Sequence, residues 1–294
     1  MMRVLWRQHR AQLMWAAAVV VAYVALMLIV AHSAHAWLVR SHQWQAQARA
    51  EGCPVSNDFS PLNLSPACRA LLPHYRAGAR LSFMAAYSFA LLVFQVGLPL
   101  VLVIIAVLIG APLVAREAEH RTQLVAWTQS VTRRRWYATK TITLAVGIAV
   151  AGLIAGVAND QLQIPLSAGE LASSRWSWFF SIDVAPAAEA VTAFALAVAM
   201  GAWLRRTVPA IGAALIGFLA LFLITGWAVR NLTPLSQAYG PSTTPDDGWR
   251  VGYDHYHPAG QYWPLQVAYV AMLLALAAVL LAAGWRATRA RASV

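Results

Sequence analysis

Six long apolar stretches run along the chain, and polar segments of very different lengths separate them. A helix that crosses a membrane needs about 20 predominantly apolar residues, and each stretch has close to that number or more. The six predicted spans cover residues 13–31, 81–115, 141–158, 184–204, 208–229 and 265–285. The pattern therefore predicts an all-α polytopic membrane protein with six transmembrane helices.

The polar segments form two sets that alternate along the chain. The first set comprises an N-terminal interfacial helix (1–12), a loop (116–140), a turn (205–207) and a tail (286–294). The second set comprises the sizeable loops 32–80, 159–183 and 230–264. The first set holds 14 Lys and Arg residues against two acidic ones, whereas the second holds eight against eight. Because basic segments stay on the cytoplasmic side, we expect both termini to be cytoplasmic and the large loops to be extracellular.

The second span is longer than a crossing requires. Its 35 residues, Leu81–Ala115, contain no Asp, Glu, Lys or Arg. As a helix they would extend about 50 Å, against a hydrocarbon core of about 30 Å. Gly97 and Pro99 lie near its middle, and Gly110 and Pro112 lie near its inner end. We therefore expect a kinked helix with a hinge at Gly97 and Pro99.

The third span is rich in small residues. Gly152 and Gly156 are four positions apart, a spacing that lets a second helix approach closely. Such a pair serves either packing within the chain or a contact between two copies. We favour packing within the chain.

The loop 116–140 is the one long polar and basic interruption of the apolar pattern. Within it, Leu124, Val125 and Trp127 recur at roughly helical spacing among polar neighbours, which predicts a short helix along the membrane surface. We infer that another protein pushes on this loop. The nearby pair Arg205 and Arg206 is read first as a determinant of topology and second as a further contact with that partner.

Composition excludes a soluble nucleic-acid-binding protein despite a net charge of +11. The chain is 60% hydrophobic and 11% charged, whereas soluble domains carry about 25% charged residues. Its two cysteines, Cys53 and Cys68, both lie in the predicted outer loop 32–80. On the oxidising side of the membrane we expect them to form a disulfide, with two free thiols as the alternative.

Motifs for common catalytic chemistry are missing from the sequence. There is no GxxxxGK[ST] phosphate-binding loop and no HExxH zinc motif, so we predict neither ATP hydrolysis by this chain nor zinc proteolysis. Six of the eight histidines fall in predicted outer segments: His32, His35, His42, His74, His255 and His257. Their spacing is not that of a metal motif, so we predict no metal site. Glu189 is expected to cap the outer end of span four, although a carboxylate at membrane depth is a candidate for function.

Three stretches together resemble one family. They are Arg116–Lys140 (REAEHRTQLVAWTQSVTRRRWYATK), Leu204–Ala210 (LRRTVPA) and His257–Gln266 (HPAGQYWPLQ). In these places and over nearly its whole length, the chain resembles permeases of the type 2 class of ABC exporters, in particular the single-permease branch common in actinobacteria. Arg121 departs from the pattern, because the family usually has glycine there.

The resemblance implies a transport subunit of a bacterial plasma membrane rather than an enzyme. ATP and Mg²⁺ would bind to a separate ABC ATP-binding subunit, so this chain needs no cofactor and has no catalytic residue. A second permease protomer, most simply an identical one, would complete a two-plus-two assembly in the lipid bilayer, with no nucleic acid. Spans one, two and five would line the path between protomers.

The loop between spans two and three would then form a coupling helix that docks on the ATP-binding subunit. The residues that we assign to coupling are Arg116, Glu117, Glu119, Arg121, Thr122, Arg133, Arg134, Arg135, Arg205 and Arg206. On this hypothesis the cargo is an amphipathic small molecule, lipid or peptide. The alternatives are a membrane sensor that binds an extracellular ligand and, with less support, a membrane metalloprotein that uses the outer histidines.

Overall fold

Six long helices, named α1 to α6, dominate the structure, a computed structural model that describes residues 2–53, 65–70, 87–89, 92–119, 132–168, 175–231, 236–237, 249–250 and 255–290. They are α1 (Met2–Ala50), α2 (Leu98–Glu119), α3 (Arg133–Ala168), α4 (Ala185–Leu204), α5 (Thr207–Asn231) and α6 (Tyr262–Ala290). Each contributes a segment long and apolar enough to cross a membrane. The predicted all-α polytopic architecture with six spans is confirmed.

Helix α1 is one unbroken helix of 49 residues. The sequence predicts a separate interfacial helix over 1–12 and an end of the first span at Ala31, and the structure shows neither break. Residues 32–50 contain no Gly or Pro and several good helix formers, so nothing stops the helix until Gly52. Gly52 adopts a positive φ of 70°, and the Gly52 and Cys53 amides donate to the Arg49 and Ala48 carbonyls, which closes the helix with a Schellman motif.

Both ends of the predicted loop 116–140 are helical. Helix α2 continues to Glu119 and α3 already begins at Arg133, so both helices extend beyond their apolar spans. The surface helix predicted around Leu124, Val125 and Trp127 lies outside the described residues.

Helix α4 is the centre of the bundle. Sixteen of its 20 residues are buried, and it contacts α2, α3, α5 and α6, while α1 packs against α3. Nine of the 20 residues are alanine, so neighbouring helices can approach its backbone from all sides. A helix that is apolar all round is expected in such a buried position.

The glycines of α3 mark the closest of these approaches. An ideal Cβ on Gly152 would lie 2.5 Å from the Ala187 Cα, and one on Gly156 would overlap the Asp183 carbonyl oxygen. Both neighbours belong to α4 or to the turn that leads into it. The prediction that this glycine pair serves packing within the chain is confirmed.

Small elements decorate the end of the bundle where α4 and α6 begin. Strands β1 (Ser236–Gln237), β2 (Trp249–Arg250) and β3 (His255–His257) form an antiparallel sheet in the order β1-β3-β2, which the sequence analysis did not anticipate. Beyond the end of α1, Cys53 and Cys68 form a disulfide bond. Short 3₁₀ helices cover Arg175–Trp178 and Ala259–Gln261.

The packing of α3 on α4 predicts the effect of adding a methyl group at Gly152. We expect Gly152→Ala to lower the thermal unfolding midpoint of the detergent-purified protein, because overpacking typically costs about 1–3 kcal/mol. Gly212→Ala on α5 is the matched control, because nothing lies within 4 Å of an ideal Cβ there. Its midpoint should stay unchanged or rise slightly, since alanine favours helix by up to about 1 kcal/mol. Equal losses in both variants would contradict the close α3–α4 contact.

Candidate coupling site at the basic end of the bundle

One end of the bundle gathers the end of α2, the start of α3 and the turn between α4 and α5. Its exposed side chains are Arg116, Arg134, Arg135, Arg205 and Arg206, and we call this surface the basic end. Glu119 and Thr132, the described residues on either side of the segment 120–131, also lie here. A partner that approaches this end therefore meets guanidinium groups from three separate elements.

An ion pair joins α2 to α3 close to this segment. The Lys140 Nζ on α3 pairs with the Glu117 Oε1 on α2, and only 10% and 17% of the two side chains are exposed. The ammonium group also lies 4.7 Å from the centroid of the Trp136 ring. The pair links the end of α2 to the first turns of α3. Removing one partner would leave a largely buried charge uncompensated.

A second carboxylate ties α2 to α5. The Thr207 amide donates to the Glu119 Oε1 at 3.1 Å, and the Thr207 hydroxyl donates to the Glu119 Oε2 at 2.8 Å. Thr207 is the first residue of α5, so Glu119 supplies an acceptor and a negative charge where a helix N-terminus favours both. The last turn of α2 is therefore linked to two neighbouring helices by two carboxylates.

The turn between α4 and α5 contains only Arg205 and Arg206. Arg205 adopts a left-handed conformation with φ of 54°, and its amide donates to the Gly201 carbonyl, which ends α4 abruptly. Both arginine side chains stay exposed beside the Glu119–Thr207 contact. The short turn thus holds two positive charges at a fixed position.

The structure gives the two acidic residues assigned to coupling neighbours within this chain. Glu117 contacts α3 and Glu119 contacts the start of α5. Arg116, Arg134 and Arg135 are exposed at the same end, as the coupling hypothesis requires. Arg133 is described only as the first residue of α3, and Arg121 and Thr122 lie outside the described residues.

Sequence reasoning missed the partners Lys140 and Thr207. Lys140 is the only lysine in a chain with 22 basic residues, and this rarity was the available clue. Thr132 was also missed: its hydroxyl accepts a hydrogen bond from the Arg135 amide at 3.3 Å and caps the start of α3. Threonine immediately before a helix is a common cap, so this position was readable from the sequence.

The predicted hinge in the second span coincides with an irregular backbone. Residues Val93–Gly97 form a π-helical turn, and α2 follows directly with Pro99 in its first turn. Pro99 has no amide to donate to the carbonyls one turn earlier. Those carbonyls have donors from elsewhere: the Asn159 amide group reaches the Phe94 oxygen at 3.2 Å, and the Ser181 hydroxyl reaches the Gln95 oxygen at 2.5 Å. The irregular turn is thereby braced against α3 and the segment before α4.

More polar contacts surround the start of α4. The Tyr262 hydroxyl donates to the Asp183 carboxylate at 2.7 Å, and the Gln266 side-chain amide donates to the Phe179 carbonyl at 2.8 Å. The buried ring of His257 lies between the Gln261 Oε1 at 2.8 Å and the Arg230 carbonyl at 3.2 Å. The first two contacts fix the segment before α4 against α6, and His257 joins the segment before α6 to the end of α5.

The expectation that Glu189 caps an exposed helix end is wrong. Only 1% of Glu189 is exposed, and the Tyr269 hydroxyl donates to its Oε1 at 2.8 Å. The residue lies in the second turn of α4, and the burial of this helix on all sides places the carboxyl group against α6. In the described residues no group of three or more His, Cys, Asp or Glu side chains is placed to hold a metal ion.

Comparison with known families identifies the class of protein. The family model described as ABC-2 membrane transporter related matches residues 17–230, which is more than half of the chain. Neither a curated protein nor a solved structure gives a significant match. Membership implies a transport subunit in a membrane that works with an ATP-binding subunit. Its six apolar helices agree with that membership, and the chain belongs to the ABC-2 membrane transporter related family.

Proposed function

We propose that this protein is the permease of an ABC exporter and moves an amphipathic small molecule, lipid or peptide out of the cytoplasm. A separate subunit binds ATP and Mg²⁺ and hydrolyses the nucleotide. Two permease chains, most simply identical, and two ATP-binding subunits form the assembly. The observation that carries the proposal is the pair of contacts, Glu117–Lys140 and Glu119–Thr207, at the base of the basic loop.

The two contacts suggest how a push on the loop reaches the membrane. A force applied between residues 119 and 133 acts on α2 directly, on α3 through Lys140 and on α5 through Thr207. Glu117 and Glu119 are thus positioning residues, and the exposed arginines of the basic end meet the partner. In this division of roles, the two carboxylates connect helices of this chain and do not themselves meet the partner.

Helix α2 has the form of a stiff arm. Its 22 residues extend about 33 Å, and the π-helical turn with Pro99 lies at the end far from the loop. Hinges are a few positions that absorb a change in backbone angles. We infer that α2 pivots near Val93–Gly97 when the ATP-binding subunits close.

The interior favours an apolar or amphipathic cargo. Among the described residues, the helices bury few charged groups: Lys140 is paired at the basic end and Glu189 is bonded to Tyr269. Charged side chains within a membrane mark ion and proton pathways. Their scarcity here supports a path for a molecule with substantial apolar surface.

The charge distribution supports an orientation with the basic end in the cytoplasm. The positive-inside rule places exposed Arg116, Arg134, Arg135, Arg205 and Arg206 there. The disulfide between Cys53 and Cys68 lies past the opposite end of α1, where an oxidising exterior would maintain it.

Mild-detergent purification followed by mass spectrometry tests the class of assembly. We expect an ATP-binding subunit in equimolar amount, because the basic end offers it three contact elements. Recovery of the permease alone, even after crosslinking in membranes, would contradict the proposal. Ligand-dependent ATP hydrolysis without movement of that ligand into vesicles would instead support a sensor.

Substitution of the two carboxylates tests their role in coupling. We expect Glu117→Ala and Glu119→Ala each to lower cargo-stimulated ATP turnover of the purified complex about tenfold, a change equivalent to about 1.4 kcal/mol. The ATP-binding subunit should stay bound, because the arginines that meet it are intact. Glu51→Ala is the control, since Glu51 is an exposed acid at the opposite end of α1. Wild-type turnover in both variants would refute the coupling role.

Thiol labelling tests the orientation. Cys53 and Cys68 are the only cysteines, so after reduction a membrane-impermeant maleimide should label intact cells at these positions. Without reduction we expect little labelling, because the thiols are joined. The double variant Cys53→Ser/Cys68→Ser supplies the background. Labelling that requires permeabilised cells would place the disulfide end inside and reverse the orientation.

A further inference from the structure

An apolar cleft of about 520 Å³ lies between α1, α2 and α3. Thr143 is the one polar residue among the 14 that line it. Small residues create the space: Ala16 on α1 and Gly147 on α3 both line the cleft, and nothing lies within 4 Å of an ideal Cβ on Gly147. The volume falls in the range of about 300–1,000 Å³ that is usual for small-molecule sites.

The cleft opens at the surface of the single chain rather than into the interior of the bundle. Val21, Val150 and Ile154 line it and are 67%, 49% and 52% exposed in the single chain. Along α3 it extends from Thr143 to Ile154, which corresponds to about 16 Å of helix. That length is about half of a 30 Å hydrocarbon core, or one leaflet of a bilayer.

Two of the helices that line the cleft, α1 and α2, each carry an arginine beyond it, towards the basic end. Arg116 is seven residues beyond the lining residue Ile109, so it shares that face of α2 about 10.5 Å further along. Arg10 stands in the same relation to the lining residue Ala17 on α1. Both arginines are exposed, and no ion pair within the described residues involves either one. Lys140, by contrast, is neutralised by Glu117.

An apolar cleft that is as long as one leaflet and has positive charge beyond one end matches one kind of molecule. We propose that the cleft binds an acyl chain of an anionic phospholipid, with the headgroup phosphate at Arg10 and Arg116. Basic pockets between membrane helices hold acidic headgroups in this way. The two exposed arginines beyond its end favour an anionic headgroup over an apolar helix of a second copy. Arg116 also belongs to the basic end, but the site is tested by lipid binding alone, so its failure would leave the exporter proposal intact.

Lipid titration of the purified protein tests the site. We expect phosphatidylglycerol to raise the thermal midpoint, and to remain bound in native mass spectrometry, at a concentration at least fivefold lower than phosphatidylcholine with the same acyl chains. Arg10→Gln/Arg116→Gln should remove this preference, because only the headgroup contact is lost. Gly147→Leu should weaken binding of both lipids, because its side chain fills the cleft.

Matched variants keep the test decisive. Gly212→Leu adds the same side chain at an open position on α5 and should leave lipid binding unchanged. Arg134→Gln/Arg135→Gln removes two exposed charges from the basic end that belong to neither wall named above and should retain the preference. Equal affinity of the wild type for both lipids, a preference that survives Arg10→Gln/Arg116→Gln, or equal losses in both leucine variants would overturn the proposal.

Discussion

The close approach of four helices to α4 is the constraint on which the rest of the structure depends. Association in a membrane gains little from the hydrophobic effect, because lipid tails are as apolar as the side chains. Packing therefore relies on contact distance, and the alanines of α4 together with Gly152 and Gly156 allow backbones to meet. Once α4 is fixed, α2, α3, α5 and α6 have little freedom in their placement around it.

Polar contacts at the two ends of the bundle complement this apolar centre. At one end, Asn159 and Ser181 supply the hydrogen bonds that Pro99 cannot, so an irregular turn persists within a bundle that must satisfy its backbone groups. At the other end, Glu117 and Glu119 link α2 to α3 and α5. Helix α2 and the π-helical turn before it are thus attached at both ends to α3, and in addition to Ser181 at one end and to α5 at the other. This arrangement suits an element that transmits displacement without separating from the bundle.

The partners of Glu117 and Glu119 also change how the basic loop is understood. A free carboxylate invites an interpretation as a docking contact, whereas a largely buried ion pair and a helix cap are internal connections. The exposed positive groups of this end are the arginines, which lie on three elements. If a neighbouring lipid contacts Arg116, the lipid composition of the membrane acts on the same helix that carries part of the coupling surface.

The sequence by itself determined the six spans and the intramolecular role of Gly152 and Gly156, because length and small-residue spacing are local properties of the chain. It did not determine where α1 and α3 end. Polar residues with good helix propensity extend α1 beyond its apolar span, and α3 continues to Ala168 although Pro165 lies within it. Only the tertiary structure decided that α4 is central, that Glu189 is buried against Tyr269, and that Lys140 and Thr207 are the partners of Glu117 and Glu119. Those contacts join residues 23 to 88 positions apart, and no periodicity in the sequence records which helices become neighbours.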